Sequence, residues 1–359
     1  DSLLFKSSGS THSALRLLSD RELEIVDNSG TSDFTLHEGE SAYFVLESEG
    51  NDEHRSGPLA EYVEETYHST IRYWQSWISK STYKGPWLEE VNRSVLTLKL
   101  LTSHIHGSVI AAPTFSLPEQ LKGGRNWDYR FTWIRDAAFT VYVFLQLGFI
   151  EEAEAFVNWI ANLCHNSEMQ LMYAVDGEKR LDEEDLEHLE GYMGSKPVHI
   201  GNDAYEQFQL DIYGALLDTL YTYMESGGPV SYELWNNIIK HVNFVIEHWR
   251  RPDHSIWEIR SEEREFLYSR VMSWLALDKA IKIGEAKSFP YDFIKWRKVR
   301  DEIYTDIYEN FWNKEKETFV QSKGSDLLDA STLIMPQVGI ISAQSERWKK
   351  TMNAIAEEL

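Results

Sequence analysis

Cysteine is almost absent: the 359-residue chain contains one, Cys164. A single thiol excludes an internal disulfide and any cysteine-based zinc site. Set among Phe156, Ile160 and Leu163, it reads as a buried structural thiol. Positive charge is also in short supply, with 35 Lys and Arg against 58 Asp and Glu, a formal net charge of −23. That balance excludes a nucleic-acid partner and disfavours an anionic membrane surface, because both would be repelled. No apolar run approaches the roughly 20 residues that span a bilayer. The opening residues Asp1-Ser2-Leu3-Leu4-Phe5-Lys6 lack the basic-then-apolar order of a signal peptide, and no initiator Met precedes them. The true N-terminus is therefore expected elsewhere, and the compartment stays open with the cytoplasm as the expected one. His104 and His106 alternate along an expected helix and so point apart, which argues against a metal pair. Neither a metal nor another cofactor is expected.

Aromatics, by contrast, are plentiful: 13 Trp, 18 Tyr and 16 Phe. Flat aromatic faces stack on the apolar faces of sugar rings, and carboxylates and amides bind the hydroxyls. An aromatic-rich core gives the same composition, since aromatics dominate buried area in many folds. A small neutral sugar is a partner compatible with the charge.

Two organisational regimes follow one another. Glu22–Val26 and Ser41–Glu47 alternate polar and apolar residues, with the turn formers Asp27-Asn28-Ser29-Gly30 between them, a hairpin signal. Asn51-Asp52-Glu53 and Ser56-Gly57-Pro58 mark a boundary. From Leu59 the period is helical. Val91, Val95, Leu98, Leu101 and Thr102 have the spacing of a buried face, and helices are expected at Ala137–Leu147, Glu151–Leu163, Tyr205–Glu225, Tyr232–Trp249, Tyr268–Ile283, Ile294–Trp312 and Leu328–Ile341, with another beginning at Glu346. Gly148, Gly227-Gly228 and Gly284 read as helix ends. Similar helices joined by short turns and longer Trp- and Gly-rich loops suggest nested hairpins, as in an α/α toroid. Glu178–Glu190, rich in acids, reads as a solvated loop rather than a calcium site.

Glycoside hydrolysis needs one carboxylic acid to protonate the leaving oxygen and a second carboxylate opposite it. With 58 acids present, only context can select them. Two segments crowd carboxylates together with Trp, Arg and Gly. One is Gly123-Gly124-Arg125-Asn126-Trp127-Asp128-Tyr129-Arg130-Phe131-Thr132-Trp133-Ile134-Arg135-Asp136; the other is Arg251-Pro252-Asp253-His254-Ser255-Ile256-Trp257-Glu258-Ile259-Arg260. In the second, Trp257 can desolvate Glu258 and raise its pKa, while Arg260 can hold it ionised.

These segments resemble the glucoamylase-type glycoside hydrolases of family 15, especially their bacterial-style glucoamylase and trehalase branch. The likeness also runs through Tyr83-Lys84-Gly85-Pro86-Trp87, Ala111-Ala112-Pro113-Thr114, Gly201-Asn202, Gln207-Phe208-Gln209-Leu210-Asp211, Tyr213-Gly214 and Ser269-Arg270-Val271-Met272-Ser273-Trp274. The resemblance implies a mainly α fold: an (α/α)6 toroid, incomplete in this chain, preceded by the end of an N-terminal β-sandwich. The expected divisions are 1–58 for the β-sandwich end, 59–82 for a linker helix and 83–359 for a catalytic domain cut before its C-terminal part. It implies removal of β-glucose from non-reducing ends with inversion, with Glu258 as the general acid. Arg135 and Asp136 would bind hydroxyls of the innermost glucose, Trp133 and Trp257 would line its pocket, and Tyr205 would supply another wall. Gln209, Asp211 and Arg260 join the substrate-binding set, whereas Gln207 reads as a neighbour on the helix.

The family's general base is a Glu of a later segment with no counterpart before Leu359, so the chain is expected to be a fragment that is inactive by itself. His199 stands where the family suggests Arg, which bears on the outer subsite. Ser255 stands where it usually has Gly, a small change unless the backbone there needs positive φ. The leading expectation is an exo-acting α-glucosidase on maltooligosaccharides or glucans, and the alternative is a trehalase of the same family. From another class comes a catalytically silent, glucan-binding or regulatory relative; retention of Arg135-Asp136 and Trp257-Glu258 argues against it.

Overall fold

Strand-period sequence becomes sheet, and helical period becomes helix, with four informative exceptions. The computed structural model describes residues 1–6, 14–48, 57–163 and 168–359; Cys164 and the boundary residues Asn51 to Ser56 lie outside the described residues. The chain divides into two units, Asp1–Lys80 and Ser81–Leu359.

In the first unit, β1 (Ser2–Lys6), β2 (Ala14–Ser19) and a later strand form an antiparallel sheet, with β3 (Glu24–Val26) and β4 (Ser29–Thr31) as a separate hairpin. The third sheet strand is β5 (Phe44–Ser48), which pairs with β2 in the register Leu17↔Leu46. Asp27 and Asn28 close the hairpin with φ of 49° and 62°, the double left-handed turn that matches strand twist. The helix α1 (Leu59–Ile78) follows Pro58.

The second unit is built of helices. After α2 (Leu88–Leu100) and the short strand β6 (Thr132–Trp133) come α3 (Ile134–Leu147) and α4 (Ile150–Leu163). The short strands β7 (Met172–Tyr173), β8 (Glu184–Asp185) and β9 (His199–Ile200) precede α5 (Asp211–Glu225) and α6 (Tyr232–His248). Then come α7 (Leu267–Lys287), α8 (Phe293–Asn310), the hairpin β10 (Trp312–Asn313) with β11 (Thr318–Phe319), and α9 (Glu346–Glu358). The helices α3, α5 and α7 pack side by side, and α4, α6 and α8 each return against one of them. This is the nested-hairpin layering of an α/α toroid. Because α7 is flanked on several sides it is buried nearly all round in its first half, and Tyr268 through Asp278, polar residues included, are all buried. Among the described residues no helix is long and apolar enough to cross a membrane, and no group of three or more His, Cys, Asp or Glu could hold a metal ion.

Four expected helical features differ. Where one helix was expected from Tyr205, a 3-10 turn at Asp203–Glu206 is followed by non-helical residues, and α5 starts only at Asp211. There the backbone bonds outward instead: His254 N–H donates to the Phe208 carbonyl at 3.1 Å, and Leu210 N–H donates to Asp253 at 3.0 Å. The expected helix at Leu328–Ile341 is a 3-10 turn at Ala330–Ile334 followed by turns, since Pro336 cannot donate to a helical ladder. Gly284 does not end a helix; α7 runs on to Lys287, and Gly284 sits where a side chain would press on Trp235 and Tyr291. His104 and His106 lie in a turn after α2 rather than on a helix.

The tightest approach in this unit is at Gly214 of α5, where a Cβ would lie 2.3 Å from the Met272 carbonyl oxygen of α7. Gly214→Ala must therefore force the two helices apart. We expect it to lower stability by about 1–3 kcal/mol, the usual range for overpacking, as measured by urea unfolding. An unchanged midpoint would mean that the helices do not cross so closely.

Candidate active site

The N-terminal ends of α3 and α5 and the segment before α7 meet around one guanidinium. β6 pairs antiparallel with β7, Trp133 opposite Met172, and Ile134 N–H donates to the Leu171 carbonyl at 3.0 Å. This anchors the chain just before α3 and places Arg135 and Asp136 in its first turn. Asp211 is the first residue of α5, where the helix dipole favours an anion.

Arg135 is buried and fully engaged. One of its terminal nitrogens donates to Gln209 Oε1 at 2.9 Å and to Asp211 Oδ2 at 3.1 Å. The other donates to Glu258 Oε1 at 3.0 Å and lies 3.4 Å from Asp136 Oδ2. Burial opposes its charge, but Asp211, Asp136 and Glu258 outweigh burial and hold it above its ordinary pKa. Trp133 Nε1 donates to the same Glu258 oxygen at 2.8 Å. Burial pushes the Glu258 carboxyl above the usual carboxylate range, and the pull of Arg135 with the hydrogen bonds from Arg135 and Trp133 does not cancel it. Its side chain is still 24% exposed, so a ligand can reach it. Asp136 presents a carboxylate that is 49% exposed.

Of the remaining predicted residues, some join this cluster and some do not. Gln209 and Asp211 are buried second partners of Arg135. Trp257, beside the acid in sequence, turns away: it is 56% exposed and its Nε1 donates to Asp329 Oδ2 at 2.9 Å. The indole on the acid is Trp133. Arg260 bonds Glu183 Oε2 at 3.2 Å and stacks 4.1 Å from the Trp127 ring centroid, and the cation beside Glu258 is Arg135. Tyr205 donates to Asp182 Oδ1 at 2.8 Å and lines a cleft of about 650 Å³ with Met169, Gln207 and Arg251. The acidic stretch expected to be a solvated loop thus sends Asp182 and Glu183 to two predicted site residues. His199 is buried with its ring 5.9 Å from that of Trp127.

Sequence reasoning passed over three contributors. Gln207 is no mere helix neighbour: it accepts from Gln209 Nε2 at 3.2 Å and donates to the Glu258 carbonyl at 3.3 Å. The Tyr129 ring lies 6.0 Å from that of Trp133, and burial, then Glu119, Glu258 and Asp136, raise its hydroxyl pKa. Tyr129 was visible as the aromatic inside the Trp-Asp-Tyr-Arg run. Asp253 is buried, and it accepts from Leu210 N–H at 3.0 Å and from Ser269 Oγ at 2.7 Å. Ser255 has φ of 56° and Glu258 has φ of 48°, so the backbone of the acid-bearing turn does take the left-handed form.

The model of the family described as glycosyl hydrolases family 15 matches residues 85–359. A protein named trehalase from Mycolicibacterium smegmatis is 37% identical over 97% of the chain and 52% of its own length. A trehalase from Thermoplasma acidophilum is 38% identical over 81% of the chain and 50% of its own length. The chain spans about half the length of these curated relatives. Among solved structures, a bacterial glucoamylase complexed with acarbose superposes with a TM-score of 0.64 at 14% identity, covering 88% of the chain and 47% of that protein. A glycosidase variant in complex with glucose gives 0.59 at 19% identity, covering 76% of the chain and 69% of that protein. These two likenesses establish the fold.

Burial raises the Asp253 pKa to about 7 against the hydrogen bonds from Leu210 and Ser269. The folded state therefore holds a proton that the unfolded chain releases at lower pH. The stability this contributes is complete below the unfolded carboxylate pKa and is lost as pH rises towards 7. We expect wild-type stability to fall by about 3 kcal/mol more than that of Asp253→Asn between pH 4.5 and pH 7. Parallel urea titrations at the two pH values check this, and equal slopes would refute it.

Proposed function

Since the chain belongs to glycosyl hydrolases family 15, we propose that it supplies the acid and the sugar grip of an inverting α-glucosidase whose substrate is trehalose. The observation that carries this reading is the Glu258 carboxyl, raised by burial yet partly exposed, with Trp133 and Arg135 bonded to a single oxygen. Both bonds go to Oε1, which leaves Oε2 to carry the proton and deliver it to the glycosidic oxygen. Raising a carboxyl pKa by burial is how an acid stays protonated near neutrality.

As C–O cleavage proceeds, positive charge develops on the glucose ring, and the anion left on Glu258 is met by the guanidinium of Arg135. Asp136, half exposed beside Arg135, would accept hydrogen bonds from glucose hydroxyls, which are stronger for being charge-assisted. Inversion needs a second carboxylate roughly 6.5–9.5 Å from the acid to activate water. On the resemblance drawn above that carboxylate would be a Glu of another segment, and this reading assigns the step to no residue of this cluster. Gln209 and Asp211 hold the guanidinium from behind. Tyr205, Trp257 and Arg260 bond Asp182, Asp329 and Glu183 rather than the Arg135–Glu258 cluster, and this reading assigns them to a second sugar.

Trehalose takes precedence over maltooligosaccharides because the curated relatives compared above, at 37% and 38% identity, are named trehalase. Both substrates need the same innermost pocket. A silent binding relative has no use for a desolvated acid.

The test is glucose release from trehalose and from maltotriose by the full-length protein. Glu258→Gln should lower kcat on trehalose by about 10³-fold, within the range for losing a general acid, and leave glucose affinity within about threefold by tryptophan fluorescence. Release from maltotriose alone would replace the trehalose reading with the glucan one. Release from neither, by folded protein, would leave the binding relative.

A further inference from the structure

The turn that carries Glu258 is irregular and strained. Ser255 and Glu258 both occupy the left-handed region, at φ of 56° and 48°. Such a conformation at a non-glycine residue is strained and persists only where its surroundings over-determine it. Several ties on this turn are only partly buried: Trp257 to Asp329, Gln207 to the Glu258 carbonyl, and His254 to the Phe208 carbonyl. One tie differs. The buried carboxylate of Asp253 accepts from Leu210 N–H at 3.0 Å and lies 2.9 and 2.7 Å from Ser269 Oγ through its two oxygens. Its backbone is clamped as well, exchanging two 3.0 Å bonds with Arg264.

Leu210, itself wholly buried, lies between Gln209 and Asp211, the two residues that hold Arg135 from behind. The connections therefore close a ring: Glu258 to Arg135, Arg135 to Gln209 and Asp211, Leu210 to Asp253, and Asp253 back along five residues of chain to Glu258. Ser269, in the first turn of α7, fixes the ring to the helix that packs on α5. We infer that Asp253 is a positioning residue that holds the Glu258 turn and the Gln209–Asp211 segment in register, so that the acid and the guanidinium meet. It reaches no reacting atom and works only through Leu210 and Ser269. The inference rests on the glycosidase reading for its kinetic consequence, though the register itself can be measured without substrate.

In the full-length protein, Asp253→Ala opens the ring. We expect kcat on trehalose to fall about 100-fold, the scale of a misplacement of about 1 Å, with KM within about threefold because Asp136 is untouched. Asp253→Asn keeps an acceptor for Leu210 N–H and a donor for Ser269 Oγ, and it should restore kcat to within about fivefold of wild type. Ser269→Ala, which leaves the Leu210 bond in place, should lose about three- to tenfold and serves if the alanine variant does not fold. Amide hydrogen exchange provides the substrate-free readout: residues 207–211 and 253–260 should exchange at least about tenfold faster in Asp253→Ala, but not in Asp253→Asn. A kcat unchanged in Asp253→Ala, an asparagine variant as impaired as the alanine one, or unaltered exchange in both segments would overturn the inference. If the exchange pattern holds while wild type cleaves no α-glucoside, the register stands and the glycosidase reading falls.

Discussion

A guanidinium buried under the ends of two helices sets the terms for the second unit. An unpaired charge at that depth would cost several kcal/mol, and breaking such a buried pair typically costs 3–5 kcal/mol. Arg135 is tolerated because Asp211 and Glu258 bond it, Asp136 lies close and Gln209 takes the remaining direction. Asp136 is its chain neighbour, Gln209 and Asp211 come from around the start of α5, and Glu258 comes from the turn before α7. Satisfying the charge thus fixes α3 against α5 and draws the turn before α7 over both.

The same interaction governs the chemistry. A cation this close would by itself keep Glu258 ionised, yet burial outweighs it and the carboxyl titrates above its usual range. On the proposed reading that balance suits a proton donor, since the same cation supports the anion left after transfer. Trp133 contributes twice, as an apolar wall and as an N–H aimed at the oxygen that Arg135 also holds. With one oxygen doubly bonded, the other is set apart for the substrate. Asp136 is half exposed where its neighbour Arg135 is buried, and on the proposed reading that separates the residue which grips a sugar from the one which organises the site.

What could be read from the sequence was what is contiguous in it. The Trp-Ile-Arg-Asp run opens a helix, so Arg135 and Asp136 keep the fixed geometry of a first turn and their vicinity to Trp133 was legible. The helical hairpins were legible too, since their apolar spacing matches their packing. Irregular backbone was not legible. Trp257 and Arg260 flank Glu258 in sequence, but with Glu258 at a left-handed φ the neighbours point elsewhere, and the indole and cation at the acid come from the junction of β6 and α3. Gln207 to Leu210 looked helical because their residue types permit it; bonds to His254 and Asp253 prevailed over that local preference. Such choices are tertiary and leave no periodic mark.

The spacing of those bonds along the chain has a consequence for how the molecule folds. Arg135 finds Asp211 76 positions later and Glu258 123 positions later. In a linear array of helical hairpins, each pair can settle as soon as its neighbour is made, and stability accumulates unit by unit. Here the first hairpin cannot seat the start of α3 without stranding a bare cation until the second arrives, and the third is needed to complete its shell. Long-range closure of this kind slows folding, but it denies the partly assembled chain a comfortable resting place. The layered hairpins are thereby bound into one cooperative transition, with the site as the last joint to close.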